Sequence, residues 1–187
     1  MFNEVIDEII WDEQNDIPAI EEKPLVFRQR KQDLNSKIIN YKHLKLDTDA
    51  FNENGIIPCK YTCDGKNVNP PINISNLPVN AKSLAVIVDD PDGMNGSFCH
   101  WAMWNLPITD HIEEGEHRGI PGRNDFGYYR YNGPCPPAGT HRYYFKVYAL
   151  DCILNIPACS GKLQLEKAMK GHVAGFGFLI AKYHMRM

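Results

Sequence analysis

Three short segments of this chain bring acids, imidazoles and a phenol to the ends of apolar runs, where such groups can bind or move protons. The first runs from Ser83 through Val86 and Val88 to Asp90, Pro91 and Asp92. Side chains alternate along a strand, so Leu84, Val86 and Val88 share one face and Asp90 follows them. Pro91 has no N–H to give to a ladder. Asp90 and Asp92 are therefore expected where the strand opens into a loop. The second segment is Phe98–Leu106. Strict alternation puts Phe98, His100, Ala102 and Trp104 on one face and Cys99, Trp101, Met103 and Asn105 on the other. The third begins with Gly133, Pro134, Cys135, Pro136, Pro137, Ala138 and Gly139, and continues as a strand to Asp151. There His141, Tyr143, Phe145 and Val147 share a face, and Arg142, Tyr144, Lys146 and Tyr148 oppose them.

If the three segments converge, they bring together Asp90, Asp92, His100, His141 and Tyr143. Histidine and tyrosine can donate to the oxygens of a tetrahedral anion, and an aspartate can fix a histidine tautomer. The same groups arranged otherwise can act as general acid and base. Asp90, His100 and His141 can also ligate zinc, or all of them can be structural. Spacing alone leaves these four readings open. A hydrolase in the same pocket is the rival class, using Cys99 or Cys135 with His100 or His141. Neighbours on a strand point to opposite faces, so Cys99 with His100 is a poor dyad; Cys135 with His141 stays open. There is no GxSxG elbow, and Ser97 and Thr140 have no evident base beside them.

The elements that must position these groups are short strands. From about Tyr41 onward, apolar runs alternate with turn chemistry such as Asn54-Gly55, Asp64-Gly65 and Asn132-Gly133-Pro134. Ser83–Asp89, Phe98–Leu106, Arg142–Asp151 and Phe176–Tyr183 are rich in Val, Ile, Tyr, Phe and Trp, which favours strands. One helix is expected after Ser160, with Leu165, Ala168, Met169, His172 and Val173 on one face.

The chain has 187 residues, enough for one domain plus an extension over residues 1–40. Residues 1–22 hold acids and no Lys or Arg, while residues 23–46 are mainly basic. Val5, Ile6, Ile9 and Ile10 fall at helical spacing. The extension is expected either as a solvated tail or as a segment that docks on the domain or a partner. A net charge of −3 and a pI of about 6.1 give no basic field for nucleic acid. No apolar stretch approaches the roughly 20 residues of a membrane span. Met1–Trp11 carries acids where a secretory signal needs a basic start. A cytoplasmic protein is therefore expected, with its six cysteines (Cys59, Cys63, Cys99, Cys135, Cys152 and Cys159) as free thiols.

The chemistry-bearing segments resemble the phosphatidylethanolamine-binding protein family. Asp90-Pro91-Asp92 followed by His100-Trp101 resembles its first signature, and Gly133 through His141 to Tyr143 and Asp151 its second. Ile57 through Cys63 to Gly65, Asn69-Pro70-Pro71, Gly122 through Asn124 to Gly127, and Gly171-His172-Val173 resemble its bacterial and archaeal, kinase-inhibitor-like branch. The match covers about residues 46–185. It implies a mainly β, Greek-key, sandwich-like fold with one large sheet, one smaller sheet and a few peripheral helices, over residues 41–187. It also implies a shallow pocket for phosphate-like anions, phosphorylated small molecules or phospholipid head groups, with no enzymatic activity, metal or cofactor. Carried over position by position, the pocket consists of Asp90, Asp92, His100, Pro137, His141 and Tyr143. The resemblance further implies a kinase or serine protease as target, and homodimers. The extension has no counterpart in it.

Overall fold

The computed structural model describes residues 41–94 and 96–184. The extension over residues 1–40, with both readings of it and the helical spacing of Val5, Ile6, Ile9 and Ile10, lies outside the described residues. The unit that carries the candidate site begins at Lys42. Its strands are β1 (Lys42–His43), β2 (Lys45–Asp47), β3 (Ile72–Ser75), β4 (Ser83–Asp90), β5 (Phe98–Leu106), β6 (His111–Ile112), β7 (Ile120–Pro121), β8 (Thr140–Leu150) and β9 (Val173–His184). Among the described residues one α-helix, α1, spans Lys162–Met169.

Six strands form the large sheet in the order β1-β9-β8-β4-β5-β7, and three form the small sheet in the order β2-β3-β6. The pairings are antiparallel apart from β1 with β9. The long strands are the ones the β-branched and aromatic runs predict. The core lies between the sheets. Leu46, Ile72, Ile74 and Ile112 come from the small sheet; Leu84, Val86, Val88, Trp101, Met103, Phe145, Val147 and Leu179 come from the large one. All eight residues of β4 are buried. Its apolar run is therefore continuous rather than alternating, as expected of a strand covered on both faces.

The outer face of β4 and β8 carries a buried ion cluster. Lys146 Nζ lies 3.0 Å from one Asp89 carboxylate oxygen, and Lys162 Nζ lies 2.9 Å from the other. Glu166, one turn along α1, is 3.7 Å from Lys162. Burial pulls the Lys162 ammonium toward neutrality, but Asp89 and Glu166 outweigh it and raise its pKa. These charges fasten α1 to the sheet, beside the buried Leu165 and Met169.

Three expectations are corrected. The helix starts at Lys162 with Gly161 as its cap and stops at Met169, so His172 and Val173 are not on its face. Gly171, at φ +79°, turns the chain into β9. Strict alternation fails in β5. The pairing of β4 with β5 shifts between Val88 and Asp89: Val88 faces Trp101 and Asp89 faces Cys99, so His100 is the extra residue. Such a bulge re-aims a side chain. It leaves Ala102 and Trp104 on the face opposite Trp101 and Met103, and His100 packs instead with Phe98 and Tyr143. Finally, the cysteines are not all free: Cys63 and Cys135 form a disulfide, while Cys59, Cys99, Cys152 and Cys159 are thiols.

Candidate functional site

The site forms where β4, β5 and β8 end together on the core side. β4 delivers Asp90, which pairs with Phe98 at the start of β5. β8 delivers His141, and its Nδ1 lies 2.7 Å from Asp90 Oδ2. The carboxylate only accepts, so Nδ1 carries the proton and Nε2 is left for other partners. The other Asp90 oxygen accepts from the Asp92 main-chain N–H at 2.9 Å. Asp92 is engaged in turn by Arg142: its carboxylate accepts from the guanidinium at 2.7 and 3.0 Å and from the Arg142 main-chain N–H at 2.8 Å. The Arg142 side chain holds the Asp92 carboxyl below the usual carboxylate range. Both carboxylates are thus engaged within the protein, Asp92 by a cation and Asp90 by hydrogen bonds.

His100 is 3% exposed, and its Nδ1 lies 2.7 Å from the Asn132 carbonyl. Its ring meets Phe98, Phe126 and Tyr143 edge-on at centroid distances of 5.5, 5.2 and 5.2 Å. Burial pushes the His100 pKa down, so this imidazole is held neutral. Tyr143 is fully buried; its hydroxyl makes no hydrogen bond of regular geometry among the described residues, with the Asp90 carboxylate and the Cys135 main chain close to it. Burial, reinforced by the Asp90 charge, drives its pKa well up, so it stays a phenol and a donor. Pro137 sits on the exposed end of the loop before β8. Five of the six expected residues therefore converge, with Pro137 on the loop beside them.

Two further pieces complete the walls. Asn124 Nδ2 donates to the carbonyls of His100 and Arg130 at 3.2 and 2.8 Å and to Asn132 Oδ1 at 2.9 Å. Asp125 accepts from the Cys99 N–H at 2.7 Å. This stretch also presents Phe126 to His100. Its sequence signal was the pair of small polar residues between Gly122 and Gly127, but nothing in the spacing said that it faced His100. The second piece is the loop around a 3-10 turn at Cys59–Tyr61. Tyr131 Oη donates to the Tyr61 carbonyl at 2.8 Å, Cys63 N–H to the Pro134 carbonyl at 3.1 Å, and Gly133 N–H to Asn67 Oδ1 at 2.6 Å. A Cβ on Gly133 would stand 2.2 Å from the Tyr61 carbonyl oxygen, so only glycine permits this approach.

The rival chemistries find less support. Cys135 is spent in the disulfide, which removes the Cys135–His141 pair. Cys99 is buried, and desolvation drives its thiol pKa well up, the opposite of an activated nucleophile. Lys162 lies 3.3 Å from Ser97 Oγ, a neighbour that the sequence did not reveal. Its raised pKa makes it a poor base. Among the described residues, the donors that gather within 4.8 Å of one another belong to Asp151, Cys152 and His172 at the far end of β8, not to Asp90, His100 and His141. There His172 Nδ1 is engaged by Asp151 at 2.8 Å.

The class defined so far is a two-sheet β domain that gathers acids, imidazoles and a buried phenol at the ends of three strands. Comparison with known proteins places it more closely. The sequence model of the phosphatidylethanolamine-binding protein family matches residues 47–184. A UPF0098 protein of Pyrococcus horikoshii is 47% identical over 150 residues, covering 74% of this chain and 76% of its own. A solved Chlamydia trachomatis structure, CT736, described as a homologue of phosphatidylethanolamine-binding protein, is 37% identical with a TM-score of 0.73. It is covered over 99% of its length by 78% of this chain. Escherichia coli YbcL, described as a member of the mammalian family, is 25% identical with a TM-score of 0.69, over 76% of this chain and 99% of its own. The chain belongs to the phosphatidylethanolamine-binding protein family, in its bacterial and archaeal branch. Membership supports a binding function.

Proposed function

We propose that this protein binds small phosphate-like anions, including phosphorylated small molecules and phospholipid head groups, without catalysing a reaction on them. The observation that carries the reading is the division of labour at the site. Asp90 is hydrogen-bonded to His141, and Asp92 is paired with the Arg142 guanidinium. The buried Tyr143 hydroxyl makes no hydrogen bond of regular geometry among the described residues, although the Asp90 carboxylate lies near it. A buried donor of this kind calls for a ligand or water oxygen. His141 Nε2 can serve the same oxyanion, donating when the ring is charged and accepting a ligand O–H when it is neutral.

A regulatory role, with a kinase or a serine protease as target, is a second step of the proposal and rests on the family alone. The first step is tested by soaking crystals with phosphate and with phosphoethanolamine, and by calorimetry on the same pair. Phosphate oxygens within hydrogen-bond distance of Tyr143 Oη and His141 Nε2 are expected. No measurable heat with either ligand, or density only elsewhere, overturns the reading.

A further inference from the structure

We propose that the Cys63–Cys135 disulfide is a redox control on the anion pocket, tight when oxidised and weaker when reduced. The bond joins residues 72 apart in sequence. It connects two segments without strand structure, the loop that follows the 3-10 turn and the loop that leads into β8. The second loop is a wall of the site. Its Asn132 carbonyl holds His100 at 2.7 Å, and its far end runs into His141 and Tyr143 on β8. The Cys135 main chain is near enough to the Tyr143 phenol to act on its ionisation. Among the described residues, hydrogen bonds from Tyr131, Cys63 and Gly133 also tie the two loops. The disulfide is the covalent member of that set.

Both cysteines are only half-buried, so an external dithiol can reach them. The reductant supplies two electrons and two protons. The Sγ–Sγ bond breaks, Cys63 and Cys135 become thiols, and the reductant closes its own disulfide. Reduction restores freedom to the loop, and a ligand must then pay the entropy of ordering it again. The thermodynamic consequence is reciprocal: whatever factor reduction removes from anion affinity, the bound anion returns as resistance to reduction.

The linkage rests on the anion-pocket reading, and the test separates the two. Phosphate affinity is measured by calorimetry on the full chain, oxidised and after treatment with dithiothreitol, and on the double variant Cys63→Ser, Cys135→Ser. The expected result is affinity about fivefold or more weaker in the reduced protein, within the usual range of coupling between sites. The double variant should match the reduced protein and ignore dithiothreitol, which excludes effects at Cys59, Cys99, Cys152 and Cys159. In parallel, the dithiothreitol midpoint of the wild type is titrated with and without saturating phosphate. Each tenfold change in affinity should appear as about 30 mV toward more negative potential. Equal phosphate affinity in both redox states, with an unmoved midpoint, overturns the redox control and leaves the pocket standing. Absence of phosphate binding in both states overturns the pocket and the control with it. Should the double variant fail to fold, the wild-type affinities and midpoints decide alone.

Discussion

His141 Nδ1 and Asp90 Oδ2 lie 2.7 Å apart although they are 51 positions apart in sequence, and the pair is largely withdrawn from solvent. Asp90 fixes which nitrogen of His141 carries the proton, so the imidazole presents one defined edge to a ligand. His141→Ala should weaken phosphate binding by about 1.5–3 kcal/mol, the size of a hydrogen bond to a charged group. Calorimetry on both proteins checks this, and equal affinities would remove His141 from the pocket.

His100 gives the protein a pH-dependent stability. Its folded pKa lies below its unfolded value of about 6.5, so the unfolded chain binds the extra proton first. Its contribution is complete above that value and is lost as pH falls through the lower folded pKa. The slope from this one group is at most about 1.4 kcal/mol per pH unit. Urea unfolding between pH 5 and pH 7.5 should show it, and His100→Gln should flatten it. An identical slope in the variant would assign the effect to other histidines.

Arg142 protects the site from its own acid. Arg142→Gln leaves the Asp92 carboxylate without the guanidinium now 2.7 Å away. Phosphate affinity should fall about three- to tenfold at low salt. The loss should shrink as ionic strength rises, because at 0.15 M the Debye length is only about 8 Å. A loss independent of salt would point to a disturbed backbone instead, since the Arg142 N–H also bonds Asp92.

The ion cluster beneath α1 matters to stability and not to binding. Asp89→Ala leaves Lys146 and Lys162 buried without the carboxylate between them. Removing one partner from such a cluster costs about 3–5 kcal/mol. Denaturant melts should show that loss, while the protein that remains folded binds phosphate as before. A change below about 1 kcal/mol would mean that the cluster is hydrated and weak.

Much of the fold was legible because its strands are long and chemically one-sided. β8 shows the inward set Tyr143, Phe145 and Val147 plainly, and Pro91 marks the end of β4. The candidate site residues could be named because they stand at those strand ends. What escaped the sequence depends on contacts between distant segments. The bulge that turns His100 toward Tyr143 is a property of β4 paired with β5, not of either strand alone. The Cys63–Cys135 bond runs between loops whose meeting no local pattern announces. The same holds for Phe126 against His100 and for Lys162 beside Ser97.

Asp89 and Asp90 are consecutive residues of β4, yet one anchors α1 with two lysines and the other sets the tautomer of His141. A single peptide unit therefore divides the scaffold from the proposed site. Loss or gain of one residue between Ser83 and Val88 would slide the strand by one position and exchange its faces. The carboxylate meant for the lysines would then enter the recess, and the partner of His141 would be carried to the back of the sheet. For this reason, the length of that stretch constrains the protein more tightly than the identity of any one of its aliphatic side chains.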